Sequence, residues 1–288
     1  MESVTAFTAL LSPVLAVIEY PEISPEIFSF ELFGITIALR WYSLAYITGL
    51  VFGWWYIRLL CARPGAPMSP THMDDFLMWA TLGVVVGGRL GSVLFYNLPY
   101  YIEHPTEIVF LWQGGMAFHG GALGVVIATI LFCRRHKLEL FKVADLVALV
   151  TPIGLLAGRV ANFINGELWG RPTDVPWAMI FPRDPIQVPR HPSQLYEGLG
   201  EGVILFAILM VLYHKTDLRH DRPGTIAGVF FLGYAIARFL IEFVREPDSH
   251  IGLMGWISRG QMLTIPMVLL AAFLFWAGSR SSRGPTFR

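Results

Sequence analysis

Charged and amide side chains set inside apolar runs are the residues of this chain that could do chemistry. The densest set lies in Gly154-Leu-Leu-Ala-Gly-Arg159-Val-Ala-Asn162-Phe-Ile-Asn165-Gly-Glu167-Leu-Trp-Gly170, where an apolar run ends in two amides, an arginine and a carboxylate. Arg238 and Glu242 stand at i and i+4 of another apolar run, on one helical face. His119 sits among glycines in Gly114-Gly-Met-Ala-Phe-His119-Gly-Gly121. Arginine presents paired N–H donors that match phosphate. Histidine titrates near neutrality, at about pH 6.5 when unperturbed, and is the natural base. Together these types suit an anionic lipid head group and a proton transfer beside it.

What is missing is as informative. There is no Gly-x-Ser-x-Gly elbow, no nucleotide loop, no His-Glu-x-x-His, and no Cys/His pair at ligand spacing. Cys61 and Cys133 each lie beside basic residues at the end of an apolar run and read as unpaired thiols. No cofactor or metal is expected. An enzyme built this way takes its nucleophile from a substrate.

These residues need a scaffold, and composition says which kind. Of 288 residues, 55% are hydrophobic and only 15% charged, against about 25% charged in soluble domains. Apolar runs at about 35–57, 76–96, 116–133, 143–163, 196–213, 224–243 and 261–278 predict seven transmembrane helices. Pro- and Gly-containing breakers separate them, among them Arg63-Pro-Gly-Ala-Pro67 and Arg222-Pro-Gly224. The fold class expected is an all-α polytopic membrane protein. It divides into an N-terminal segment 1–34, one catalytic domain 35–280 with a loop at 164–195, and a tail 281–288. The first twenty residues carry no Lys or Arg, so they predict an extra segment rather than a signal peptide.

Loops 58–63, 134–142, 215–222 and the tail from Arg280 hold twelve Lys and Arg, against five on the other side. That asymmetry predicts an external N-terminus and a cytoplasmic C-terminus. Net charge is zero, so nothing points to nucleic acid. Arg40, Arg89, Arg159 and Arg238 are left within spans or near their outer ends. Gly83-x-x-x-Gly87-x-x-x-Gly91, Gly120-x-x-x-Gly124 and Gly154-x-x-x-Gly158 are small-residue faces suited to close helix contact.

Each candidate has a plainer role to set against the chemical one. His119 could be a hydrogen-bonded packing residue, and Asn162 and Asn165 could bridge helices or cap them. Arg190-His-Pro-Ser-Gln194-Leu-Tyr-Glu197 reads as a loop entering a helix, with Pro192 and Glu197 in capping positions. Trp41, Trp112 and Trp169 suit an interfacial belt.

Taken together, Arg40-Trp-Tyr42, Gly87-Gly-Arg-Leu-Gly91, His119-Gly-Gly121, Gly158-Arg-Val-Ala-Asn-Phe-Ile-Asn-Gly-Glu-Leu-Trp-Gly-Arg171, Arg190 to Glu197 and Arg238 to Asp248 resemble the prolipoprotein diacylglyceryl transferase family, from about residue 22 to 278. The resemblance implies a multi-pass enzyme of the bacterial inner membrane. It would move the sn-1,2-diacylglyceryl group of phosphatidylglycerol to the lipobox cysteine of a preprolipoprotein, forming a thioether and releasing sn-glycerol 1-phosphate. It carries functional weight onto Tyr42, His119, Arg159, Asn162, Glu167, Gly170, Arg238 and Glu242. The implied roles make His119, Arg159, Arg238 and Glu242 catalytic, and give Tyr42, Arg159, Asn162, Glu167, Gly170 and Arg238 to lipid binding. Thiolate formation stays open between His119 as base and assistance by arginine alone. The competing class is a lipid or organophosphate transporter with an arginine-lined path; no inverted repeat supports it.

Overall fold

The computed structural model describes residues 18–21, 23–32, 35–246 and 258–281. The expected segment 1–17, the tail 282–288 and the motif residues Pro247 and Asp248 lie outside the described residues. The chain opens with a hairpin, β1 (Glu26–Leu32) and β2 (Ile35–Arg40), antiparallel with Ser29 opposite Ala38. This corrects the first expected span, which began at 35. The run Ile35 to Arg40 pairs as a strand, and helix α1 (Trp41–Cys61) starts only at Trp41. Trp41 closes the hairpin's base: its backbone N–H donates to the Pro25 carbonyl at 3.2 Å and its indole N–H to Ser24 at 3.0 Å. Arg40 ends the hairpin rather than sitting within the helix, and it pairs with Glu26 at 3.1 Å.

Six further helical spans follow. Helix α2 (Pro70–Phe95) begins with a reciprocal capping box, in which Ser69 accepts from the His72 backbone N–H while the Ser69 N–H donates to His72 Nδ1. A short α3 (Leu98–Glu103) leads through two 3-10 turns to α4 (Phe118–His136). Lys137, at φ 56°, ends α4 in the left-handed region, and α5 (Leu140–Ile164) returns across the bundle. The next span, Ser193–Lys215, is α6 (Ser193–Glu197) and α7 (Leu205–Lys215) joined by a π-helical segment Gly198–Ile204. After α8 (Leu218–Asp221) come α9 (Thr225–Ile241) and α10 (Arg259–Ser281).

Six of these helices are long and apolar enough to cross a membrane, and α9 is a shorter apolar helix of 17 residues. At 1.5 Å per residue α1 spans about 30 Å, the depth of a hydrocarbon core. Large apolar side chains such as Val51, Leu82, Leu131, Val211 and Leu269 are exposed on the outer surfaces. A surface of that kind is stable in lipid, not water. The protein is a mostly helical polytopic membrane protein.

Two kinds of packing hold the bundle. At the end carrying Arg58, Arg134, Arg135 and Lys215, an apolar core gathers Ile57, Phe76, Phe132, Val143, Leu146, Leu149, Leu209, Ile226 and Leu274 from seven helices. Both cysteines are buried and free there. Nearer the other end, α2 and α4 touch backbone to backbone: a Cβ on Gly87 would stand 2.4 Å from the Gly120 carbonyl oxygen, and one on Gly124 1.9 Å from that of Gly83. Gly49 of α1 meets Gly154 of α5 in the same way, at 2.9 Å, while Gly158 has open space and makes no such contact.

Asp145 of α5 ties the core to α9. It is 1% exposed, and its two oxygens accept from the backbone N–H groups of Gly224 and Ala227, each at 2.8 Å. A helix start has orphan donors, and here a neighbouring helix satisfies two of them. Asp145→Ala is therefore expected to lower stability by about 1–3 kcal/mol, read as a lower unfolding midpoint of the purified protein. Asp145→Asn, which keeps one acceptor, should fall between.

Candidate functional site

The end of the bundle opposite the apolar core is polar. It is assembled from the C-terminal ends of α5 and α9, the start of α6 and the loop 165–192. At its centre is Glu197, fully buried. Its Oε1 accepts from Arg238 Nη1 at 2.7 Å and from Arg245 Nη1 at 2.9 Å. Its Oε2 lies 2.7 Å from Arg159 Nη1. Glu201, one turn on and equally buried, lies 3.3 Å from Arg159 Nη2 through Oε2. Glu242 pairs with Arg238 at 2.9 Å and accepts from the Ser258 hydroxyl at 2.9 Å. Three guanidiniums and three carboxylates thus interlock, and Tyr234 is buried beside them.

Local structure explains the convergence. The π-helical turn Gly198–Ile204 keeps both Glu197 and Glu201 on the side facing α5; such insertions mark functional segments. Gly202 lets that turn approach, since a Cβ there would come within 2.8 Å of Leu156. Arg159 and Arg238 keep 16% of their side chains exposed, whereas Glu197 and Glu201 have none. The Oε2 atoms of Glu197 and Glu242 make ion pairs whose angles miss hydrogen-bond geometry, and Glu201 Oε1 has no hydrogen-bond partner among the described residues. The open side of the cluster is cationic and its buried side anionic.

Beside it, the tip of α5 folds on itself. Asn162 and Asn165 both donate to Glu167 Oε1, at 2.9 and 3.2 Å, and the Asn162 amide reaches the Tyr42 hydroxyl at 3.5 Å. Tyr42, Asn162 and Glu167 are therefore one unit. Gly166 at φ 60° and Leu168 at φ 59° make the reversal. Gly170 serves the backbone: its N–H donates to the His191 carbonyl at 2.8 Å, and a Cβ would stand 2.5 Å from the Val244 oxygen. It pairs with Arg245 in an antiparallel bridge, which fixes the loop against the end of α9.

The loop has its own buried ion pair. Arg190 donates to both oxygens of Asp184, at 2.6 and 3.1 Å, and reaches Glu246 at 3.1 Å and the Gly170 carbonyl at 3.3 Å. Burial pushes the Asp184 carboxyl up, but the Arg190 hydrogen bonds outweigh it and hold the group below the ordinary aspartate range. His191, packed against Tyr196, is held below the ordinary histidine range by burial, which the Asp174 charge opposes.

His119 is at the second position of α4, its ring exposed and edge-on to Phe118 at 5.7 Å. It lies within electrostatic reach of Arg238. Arg89, expected from sequence to join the outer polar groups, is placed elsewhere. It is 3% exposed and donates to the carbonyls of Ile108, Glu107 and Gly114 at 2.7, 2.7 and 2.5 Å, holding the loop that precedes α4. Glu197, whose plainer reading from sequence was capping, is the hub. Glu201 and Tyr234 were not singled out at all. The available signal was two acidic residues at i and i+4 in the apolar run 196–213, where intramembrane carboxylates must find cations.

A bundle of apolar helices with an arginine–glutamate cluster opening at one end defines a membrane-embedded protein with a site for an anionic group. The family model described as prolipoprotein diacylglyceryl transferase matches residues 30–277. Proteins named phosphatidylglycerol–prolipoprotein diacylglyceryl transferase are similar along most of their length. One from Rhodospirillum rubrum is 50% identical over 271 residues, covering 93% of this chain and 97% of its own. Another, from Paramagnetospirillum magneticum, is 52% identical over 267 residues, covering 92% and 97%. A third, from Rhodospirillum centenum, is 53% identical over 254 residues, covering 86% and 90%. The chain belongs to the prolipoprotein diacylglyceryl transferase family, and it is a transferase.

Proposed function

We propose that this protein transfers the sn-1,2-diacylglyceryl group of phosphatidylglycerol to the lipobox cysteine of preprolipoproteins, at the outer leaflet of a bacterial inner membrane. The observation that carries the reading is the convergence of Arg159 and Arg238, from two helices, with part of each side chain exposed. The names of its relatives supply the substrates. In the reaction the thiol sulfur attacks the glyceryl carbon that bears the phosphate. A C–S bond forms, the C–O bond breaks, and sn-glycerol 1-phosphate leaves with the bonding electron pair. The thiol proton passes to His119, because thiolate is the nucleophile.

Charge grows on the departing phosphate oxygen, and preorganised donors aimed there lower the barrier most. Arg159 and Arg238 fill that role. Glu242, 2.9 Å from Arg238, orients it. Tyr42, Asn162 and Glu167, already joined by hydrogen bonds, line the head-group side, and Gly170 keeps the loop closed over it. The domain division follows: 1–34 outside, 35–280 as the catalytic bundle with loop 164–195 external, 281–288 cytoplasmic. The twelve-to-five bias of basic residues supports this orientation.

The test is a coupled assay in phosphatidylglycerol vesicles with lipobox peptides carrying cysteine or serine at the acceptor position. Glycerol 1-phosphate is expected only with the cysteine peptide, in equal amount to thioether. Release without a thiol would make the protein a hydrolase, and movement of intact lipid without release would make it a transporter.

A further inference from the structure

The mechanism above leaves unused the residue at the centre of the cluster. Glu197 is wholly buried, yet its carboxylate is shared by Arg159 of α5, Arg238 of α9 and Arg245 just beyond α9, at 2.7, 2.7 and 2.9 Å. Helix packing alone does not call for a carboxylate in that place, since an apolar side chain of the same volume avoids the desolvation of an ion. A charge there has a consequence that packing lacks. It neutralises like-charged guanidiniums enough for them to stand side by side, and it occupies N–H donors that a phosphate would also use.

We propose that Glu197 is a positioning residue that presets Arg159 and Arg238 for one phosphate group, and that Arg245 tunes it by drawing on the same carboxylate. In the resting cluster, among the described residues, three arginines face the carboxylates of Glu197, Glu201 and Glu242. An anionic lipid enters as a competitor of Glu197 for guanidinium N–H groups. Ground-state affinity and catalytic alignment therefore pull in opposite directions. Removing the carboxylate frees donors and takes away a negative charge, so an anionic lipid binds more tightly. It also releases the two arginines from their common anchor, so the bound lipid reacts more slowly. Loss of kcat with a fall in KM is the kinetic mark of such a residue. Removing Arg245 does the reverse to binding, because Glu197 then bears wholly on the other two.

The experiment pairs binding with turnover on purified full-length protein, using phosphatidylglycerol as ligand and phosphatidylcholine as zwitterionic control. Glu197→Gln is expected to lower the Kd for phosphatidylglycerol several-fold and to lower kcat about 10²-fold. Arg245→Gln is expected to raise that Kd several-fold. The double variant is expected to keep the tighter Kd of Glu197→Gln, since Arg245 acts on the lipid site through that carboxylate. Equal or weaker binding by Glu197→Gln, or additive effects in the double variant, would overturn the proposal. If Glu197→Gln does not fold, the sign of the Arg245→Gln effect decides alone: unchanged or tighter binding overturns it. The turnover arm rests on the transferase reading, and the binding arm does not. Wild-type protein that binds phosphatidylglycerol without transferring it would count against that reading and leave the binding arm to judge Glu197.

Discussion

Arg159→Ala is expected to reduce diacylglyceryl transfer by about 10²–10³-fold, the loss typical when one donor to a developing oxyanion is removed. Two effects act together. In the proposed reaction the phosphate loses a guanidinium supplied from α5, and Glu197 Oε2 and Glu201 Oε2 lose the cation 2.7 and 3.3 Å away. Stranding a buried carboxylate costs about 3–5 kcal/mol, so stability must be measured beside activity. Arg159→Lys separates the effects. It keeps the charge that steadies the glutamates but presents an ammonium where a planar fork held two carboxylates at once. Lysine is expected to restore most of the unfolding midpoint and only part of the rate. Transfer within tenfold of wild type in a folded Arg159→Ala protein would remove Arg159 from the chemistry.

The candidate site was unevenly legible in the sequence, for physical reasons. Arg159, Asn162 and Glu167 stood out because polar side chains in an apolar run have few structural excuses. Arg238 and Glu242 stood out because a helix brings i and i+4 together, and the pair forms at 2.9 Å. Glu197 was hidden by its neighbours: Pro192 and Ser193 mark a helix start, and a carboxylate in the first turn has an ordinary capping role there. Only the positions of α5 and α9 reveal that it faces three arginines. Arg89 misled in the other direction. Its partners are backbone carbonyls of residues 107–114, and no side-chain pattern records where a loop will place its carbonyls. The hairpin was missed because Ile35 to Leu39 continues into the apolar Trp41 helix, and hydrophobicity alone does not separate a short strand from the first turns of a span.

Gly124→Val is expected to be the most damaging single substitution for the fold, although Gly124 touches none of the charged residues. Its Cβ would stand 1.9 Å from the Gly83 oxygen, 2.8 Å from the Gly83 carbonyl carbon and 3.1 Å from the Gly87 Cα. All three obstacles are backbone of α2, which cannot rotate aside as a side chain would. Two helices must separate along a seam that also includes Gly87 and Gly120. In lipid that seam has no hydrophobic driving force to close it again; close packing is what holds it. A cost of about 3 kcal/mol or more follows, at the upper end of overpacking penalties. His119 immediately precedes Gly120 on the same helix, so separation also displaces the proposed base. The expected result is a large fall in unfolding midpoint and yield, with transfer activity lost in whatever folded protein remains. Gly158→Ala provides the contrast, because its site is open and alanine favours helix by about 1 kcal/mol. If Gly124→Val and Gly158→Ala shifted the midpoint alike, the backbone seam between α2 and α4 would not be what holds α4 in place.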